Sequence, residues 1–333
     1  MKTAIVILNY NGKDWLKKFL PSVIENSVEA DIYIIDNAST DDSVSFLKDN
    51  YPQVKIVVNK SNLWFAGGYN EGLKQISADY YVLLNSDVEV TPNWISPVIN
   101  VLESDENIVA VQSKILAYNN KEYFEHAGAG GGMIDKNGYP FCRGRIFDHV
   151  EKDEGQYDDT TEIFWASGAC LFIKAKAFHE FGGFDASFLA HMEEIDLCWR
   201  MKNSGKKIMY CGGSTVYHVG GGTLNYVSPQ KTYLNFRNSL FTLYTNVDKG
   251  VFGKIFTRLT LDGVAGAKFL FSGKIKHVGS IFKAHFHFYG NLSRLKKIRK
   301  NLNHQSFENM KGMYSKNIVW QHFGRKKKTF KDL

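Results

Sequence analysis

Short apolar runs alternate with amphipathic stretches along the first third of the chain. Residues 3–8 read as a buried-strand run, and residues 12–26 then place Trp15, Phe19, Leu20 and Val23 on one face at helical spacing. The alternation continues with a strand over 31–36, a helix opening at the Ser39-Thr40-Asp41-Asp42 cap cluster, a strand over 54–58, a helix over 67–76 and a strand over 80–84. Strands that alternate with helices predict parallel βαβ units and a doubly wound α/β sheet. Such sheets bind ligands beyond the carboxyl ends of their strands, which singles out Asn9, Asp36, Asn59 and Asn85-Ser86-Asp87.

Further along, the periodicity fades. Residues 118–161 read as loop, with Gly128, Gly130, Gly131, Gly132, Gly138 and Gly144 and few periodic apolar positions. A loop of that length inside a compact domain is usually functional. Residues 164–173 predict a strand, 175–181 and 191–204 helices, and 207–211 and 214–218 two closing strands. Beyond residue 225 the pattern is helical and rich in Lys, Phe and His, so the expected division is residues 1–225 and residues 226–333. No internal repeat interrupts this reading.

Charge separates the same two regions. The 333 residues carry a net charge of +7, but residues 251–333 hold 18 Lys and Arg against 3 Asp and Glu, a net of +15. The remaining 250 residues hold 23 against 31, a net of −8. A basic tail on an acidic body points to an anionic surface, lipid or nucleic acid, or else to a solvated helical end. The tail mixes its lysines with Phe256, Phe269, Phe271, Phe282, Phe286 and Phe288, a composition that suits a membrane surface, a homo-oligomer contact or a plain helical cap. No reading module accompanies the charge, so nucleic acid is not an expected partner. No stretch reaches the ~18 consecutive apolar residues of a transmembrane helix. The N-terminus runs straight into a strand pattern without a signal-peptide cleavage region, and the four cysteines form no C-x-x-C pair. The expectation is a cytoplasmic, reduced protein.

Candidate chemistry sits where the strands end. Asp87 in Leu84-Asn85-Ser86-Asp87 could hold Mg2+ or Mn2+ against a diphosphate, or could close a plain Asx turn. Asp36 could accept the imide N–H of a uracil or thymine, or cap the following helix. Gly67-Gly68 could open a helix whose free N–H groups attract phosphate, or serve a tight loop. Glu193, Glu194 and Asp196 could supply a general base, or only complement a helix dipole. His218 could be a metal ligand or a satisfied core histidine. An oxidoreductase of this sheet class would need G-x-G-x-x-G after its first strand; Asn9-Tyr10-Asn11-Gly12-Lys13 stands there instead.

Taken together, the blocks at residues 6–11, 35–41, 62–70, 84–87, 153–158, 167–169, 182–185 and 193–200 resemble, in order and spacing, family 2 of the GT-A glycosyltransferases. The likeness is to the branch that includes rhamnosyltransferases and galactofuranosyltransferases. It implies a GT-A (Rossmann-like) mostly parallel sheet flanked by helices, carrying donor binding and catalysis in residues 1–225, with a basic helical C-terminal extension over 226–333. It implies that Asp36 reads the pyrimidine, within a donor site of Asn9, Asn11, Ala38, Ser39, Asn62, Phe65, Ala66, Gly67, Asn70, Asn85 and Ser86. Asn85-Ser86-Asp87 is similar to the family's D-x-D motif, with Asp87 on Mg2+ or Mn2+ and His218 as the second protein ligand. Glu194 falls at the acceptor-activating carboxylate, where aspartate is usual, with Glu193 as its alternate and Asp196 beside them. Trp165, Ser167 and Gly168 resemble the floor of the acceptor site. The implied activity is inverting transfer of a sugar, rhamnose first, from a dTDP- or UDP-linked donor to a surface glycan or its lipid-linked precursor, at the inner face of the cytoplasmic membrane. The rival reading is a non-catalytic domain of the same shape that binds glycans or a partner enzyme.

Overall fold

The computed structural model describes residues 1–220 and 228–333, so the expected boundary at 225 lies outside the described residues. The first third alternates as its sequence predicts. The strands are β1 (Thr3–Asn9), β2 (Asp31–Asp36), β3 (Lys55–Val58), β4 (Tyr80–Leu84) and β5 (Val88–Val90), interleaved with helices α1 (Lys13–Glu25), α2 (Ser43–Asn50) and α3 (Trp64–Leu73). Next come α4 (Ser96–Glu103), β6 (Ile108–Ala117) and the short strands β7 (Asn120–Phe124), β8 (Gly132–Asp135), β9 (Pro140–Cys142), β10 (Arg145–Ile146) and β11 (His149–Val150). The main sheet closes with β12 (Thr160–Ile163), β13 (Cys170–Lys174), α5 (Ala175–Glu180), α6 (Glu193–Asn203) and β14 (Lys207–His218). Helices α7 (Pro229–Asn246), α8 (Val251–Phe271), α9 (Ile275–Gly290) and α10 (Leu292–Asn301) lead to a final strand, β15 (Met313–Tyr314).

A ten-stranded sheet runs in the order β12-β14-β6-β13-β4-β1-β2-β3, with β5 on β14 and β7 on β6. Strands β3, β2, β1 and β4 are mutually parallel, β6 is parallel to β14, and β13 runs antiparallel between β4 and β6. The two-residue side-chain period of a strand sorts the core onto both faces. Ala4, Val6, Tyr81 and Leu83 pack with Tyr69 and Leu73 of α3, while Ile5, Ile7, Val82 and Leu84 pack with Leu16, Leu20 and Val23 of α1. Each fully buried Val, Leu or Ile among them contributes about 1.5–3 kcal/mol before the cost of ordering it.

Three expectations are corrected. Residues 118–161 are not loop: β8 to β11 form a second sheet, in the order β11-β10-β9-β8-β15. Its strands are two to four residues long, too short to display a period, and glycines with positive φ, Gly138 and Gly144, lie at the β8–β9 and β9–β10 reversals. The strand expected over 164–173 is confined to β13. Phe164, Trp165 and Ala166 are apolar because they are buried, at 0%, 4% and 0% exposure, without belonging to a strand. The two closing strands are in fact one, β14, whose register shifts between Cys211 and Thr215.

Helix α3 lies close on the sheet because Gly72 has no side chain. A Cβ there would sit 2.4 Å from Ile35 Cδ1 and 2.6 Å from Ile35 Cγ1, deep in the core. Overpacking costs about 1–3 kcal/mol, against roughly 1 kcal/mol of helix propensity gained over glycine. Gly72→Ala is therefore expected to destabilise the fold by up to about 2 kcal/mol in a urea unfolding series; an unchanged midpoint would show that Ile35 moves aside freely.

Candidate active site

The parallel strands end together. Asn9 pairs in register with Asp36, and Leu84, at the end of β4, lies opposite Ile7. Asp36 is 1% exposed; its Oδ1 accepts from Ser39 N at 2.8 Å and its Oδ2 from Asn9 Nδ2 at 3.0 Å. Each carboxylate oxygen keeps a further lone pair, and Asn9 Oδ1 has no partner among the described residues. Asn11 takes a left-handed backbone at φ 50° and accepts from Thr40 N at 2.7 Å and Asp41 N at 3.2 Å, tying the first loop to the second. Ala38 is left-handed as well, at φ 62°. Asn37 Nδ2 donates to Asn62 Oδ1 at 2.9 Å and to Trp64 O at 3.0 Å, so the third loop joins the same network.

Asp87 and His218 meet across the sheet, as β5 pairs with β14 and brings Val88 opposite His218. Asp87 Oδ1 lies 3.2 Å from His218 Nε2, and Asn85 Nδ2 lies 3.3 Å from the same nitrogen. Both side chains of the pair are buried, at 5% for each residue. A third group, which the sequence did not announce, stands behind them: Glu125 Oε2 is 3.1 Å from His218 Nδ1. Burial disfavours a charged imidazole here, yet hydrogen bonding and attraction from Asp87 and Glu125 outweigh it and lift the His218 pKa to about 10. Glu125 resists burial for the same reason, held down at about 2 by His218.

A carboxylate behind the far nitrogen of a histidine fixes which nitrogen faces forward, as in metal sites. Adjacent ligands of an octahedral ion with bonds of ~2.1 Å lie about 3 Å apart, so the 3.2 Å between Asp87 Oδ1 and His218 Nε2 fits Mg2+ or Mn2+. Among the described residues no group of three or more His, Cys, Asp or Glu side chains could hold a metal, so a cation here would have at most Asp87 and His218 from the protein.

The acids of α6 divide. Glu193 is 4% exposed and Glu194 half-buried, and each leaves one oxygen without a partner among the described residues. Burial raises Glu194 to about 7. Burial and the neighbouring Glu194 charge push Glu193 well above the carboxylate range. Asp196 is placed otherwise: it accepts from Arg200 Nε at 2.8 Å and Asn246 Nδ2 at 2.7 Å, while Arg200 Nη2 donates on to Gly183 O at 2.7 Å. Both of its oxygens hold structure together.

The segment that enters α6 is strained. Leu189, His191 and Met192 all have positive φ, at 66°, 69° and 73°. Such conformations cost about 1–3 kcal/mol each for a residue with a side chain. Helix α7 supplies the restraint. Asn238 Nδ2 donates into the carbonyls of His191 (2.7 Å), Ala190 (2.9 Å) and Phe188 (3.0 Å), and Arg237 Nη2 donates to Ser187 O at 2.8 Å. Sequence reading missed this clamp; its signal was a buried asparagine and arginine side by side inside an otherwise ordinary helix.

A run of direct contacts links the pieces. Asn85 N donates to Ala169 O at 3.0 Å, joining the Asp87 turn to the Ser167–Ala169 turn, where Ser167 Oγ donates to Ala127 O at 2.7 Å. Gly168 lies against Phe65, since a Cβ there would be 3.3 Å from its ring. Ala66 N then donates to Leu189 O at 3.1 Å, which reaches the strained segment before Glu193. Ser86 is half-buried beside Asp87. Three expected contributors are occupied otherwise. Gly67 and Gly68 sit inside α3 rather than at its entrance, and a Cβ on Gly68 would approach Leu8 Cδ1 to 2.9 Å, so the pair serves close packing. Asn70 spends both ends of its amide on Phe184, at 2.7 and 3.0 Å. Trp165 is closed in against Gly132 and donates its Nε1 to Met133 O at 2.8 Å.

The chain belongs to glycosyl transferase family 2, whose model matches residues 4–182, and it is therefore a glycosyltransferase. It is 24% identical over 230 residues to N-acetylglucosaminyl-diphospho-decaprenol L-rhamnosyltransferase of Mycobacterium tuberculosis, covering 64% of this chain and 75% of that protein. It is also 23% identical over 225 residues to the O-antigen biosynthesis protein RfbC of Myxococcus xanthus, covering 65% of this chain and 17% of that much longer one. In fold it matches a structure of GalNAc-T7 with UDP, GalNAc and Mn2+ at a TM-score of 0.64 and 17% identity, over 92% of this chain and 55% of that one. A mannosyltransferase of Pyrobaculum calidifontis in complex with GDP-Man and Mn2+ matches at 0.54 and 11% identity, over 87% and 88% of the two chains. The expected GT-A architecture is thus present, with its helical C-terminal region.

Proposed function

We propose that this glycosyltransferase moves a sugar, rhamnose before galactofuranose or another hexose, from a dTDP- or UDP-linked donor to a hydroxyl of a surface glycan or its lipid-linked precursor, with inversion. The observation that carries the reading is the pairing of a cation-fitting Asp87–His218 couple with one separately poised carboxylate, Glu194. The mycobacterial relative's name, with its lipid-linked N-acetylglucosamine, supports the donor sugar and the acceptor class.

Within this reading Asp36 receives the imide N–H of the pyrimidine, and the Asn9, Asn11 and Ser39 network holds it in place. Asp87 and His218 hold Mg2+ or Mn2+, which when bound offsets the negative charge of the diphosphate leaving group. Glu193, the more deeply buried acid, stays protonated, and Glu194 keeps the charge and takes the proton from the acceptor hydroxyl. A single base acting in line needs no covalent sugar–enzyme intermediate. Phe65, Gly168 and Ser167 border the acceptor side. Residues 1–225 carry this chemistry, and the helices after them brace α6 and face the membrane's inner surface.

The test is release of nucleoside diphosphate from a donor panel, with a short-chain diphosphate-linked N-acetylglucosamine lipid as acceptor. The expected result is fastest turnover with dTDP-rhamnose and at least a hundredfold loss in EDTA, restored by Mn2+ or Mg2+. Turnover unaffected by chelation, or confined to purine-linked donors, overturns the proposal.

A further inference from the structure

We infer that α8 and α9 form a docking face for an anionic lipid bilayer, lying in its plane. The two helices pack against each other as an antiparallel hairpin, and α9 also packs on α7. Their inward positions are filled: Ile255, Arg258, Asp262 and Gly266 of α8, and His277, Ile281, Ala284 and Phe288 of α9, are buried. Their outward positions are also apolar. Phe252, Phe256, Val264 and Phe271 fall within about a third of the circumference of α8, and Ile275, Phe282 and Phe286 line one side of α9. Phe252 is 87% exposed, Phe271 90% and Phe286 73%. Single exposed apolar residues are ordinary on any surface; a stripe continued across two adjacent helices marks something that covers it.

Charge decides what the cover is. Between residues 251 and 307 the only acidic side chain is Asp262, which is 0% exposed and held by Arg258 Nε and His285 Nε2, each at 3.2 Å. The face therefore shows no carboxylate, while Lys274 and Lys276 stand exposed at the turn between the helices, beside Phe271 and Ile275. A second copy of this chain would set lysine against lysine. Anionic headgroups supply the opposite charge and, just beneath them, an apolar layer for the phenylalanines. Among the described residues no helix is long and apolar enough to cross a membrane, which leaves the in-plane arrangement. The inference deepens the lipid-linked acceptor reading and rests on it only for why a transferase should sit there.

The experiment is co-sedimentation of the full-length protein with phosphatidylglycerol–phosphatidylcholine vesicles and with pure phosphatidylcholine vesicles. Three proteins are compared: the wild type, a variant carrying F256S, F271S, F282S and F286S, and a variant carrying K274E and K276E. Wild type is expected to bind the anionic vesicles at least tenfold better than the neutral ones. Each variant should lose at least tenfold in that binding, with an unchanged melting temperature. Failure of the wild type to bind, or equal binding by all three, overturns the inference. So does concentration-dependent dimerisation of the wild type that the serine variant abolishes, since that would assign the face to a second copy. Vesicle binding is read without donor or acceptor, so a protein that binds vesicles yet transfers no sugar counts against the proposed function alone.

Discussion

Glu194→Gln is expected to lower turnover by about 10²–10⁴-fold, the usual contribution of a positioned general base, while leaving donor affinity nearly unchanged. Glutamine keeps the shape of the side chain and removes its ability to take a proton. Wild-type activity should rise as pH increases through about 7, because burial holds the Glu194 carboxyl protonated to that point. The same shift gives the substitution an opposite effect on stability. A carboxyl whose pKa is raised on folding favours the folded state fully below its unfolded value near 4.5, and that contribution is lost as pH climbs through about 7. Above pH 7 the glutamine variant should therefore melt higher than the wild type, and near pH 4 the two should coincide. Single-turnover kinetics together with a melting series across pH check both halves. A Glu194→Gln enzyme near the wild-type rate would remove Glu194 from the role of base and turn attention to Glu193.

The strand-end aspartates were legible because a buried parallel strand leaves an unmistakable apolar run. The first polar residue after such a run lies at the ligand edge of the sheet: Asn9, Asp36 and Asn85 all follow this rule. His218 ends β14 without such a run before it, and the family resemblance alone paired it with Asp87. Glu125 was not, since it lies just after β7 in a glycine-bearing stretch whose short strands conceal their pairing, and it reaches His218 only through the closed sheet. Gly67-Gly68 misled because a glycine pair has the same composition whether it exposes N–H groups to phosphate or lets a helix settle on a strand; only the 2.9 Å approach to Leu8 separates the two. The Asn238 clamp escaped for a further reason. A buried amide in a helix has no pattern until its partner, the left-handed turn over residues 189–192, has been placed beside it.

The clamp also explains why the helical region cannot be a mere appendage to the chemistry. Three left-handed residues in four would relax if nothing opposed them, and α6 would then begin at a different angle with Glu193 and Glu194 displaced. Helix α7 opposes this with Asn238 and Arg237 on one side of the turn, and Asn246 meets Asp196 within α6 itself. The placement of Glu193 and Glu194 thus depends on residues far downstream of the parallel strands.

Asp87→Ala is expected to reduce turnover at least 10³-fold and, unlike Glu194→Gln, to abolish metal-dependent nucleotide binding. Under the proposed function Asp87 is one of two side chains, among the described residues, that would hold the cation, so its loss would leave His218 alone, paired backward with Glu125. Binding that stabilises only the folded state adds about 2.7 kcal/mol when free ligand stands a hundredfold above its dissociation constant. For wild type, Mn2+ and dTDP together should therefore raise the melting temperature well beyond the effect of either alone; for Asp87→Ala that joint shift should vanish. Asp87→Asn separates charge from shape, since the amide keeps the volume of the side chain but offers a cation a neutral oxygen. It should fold as wild type does and still lose most of the joint shift. If the asparagine variant kept both the shift and its turnover, Asp87 would be a turn residue after all, and the cation, if one is used, would have to be held elsewhere.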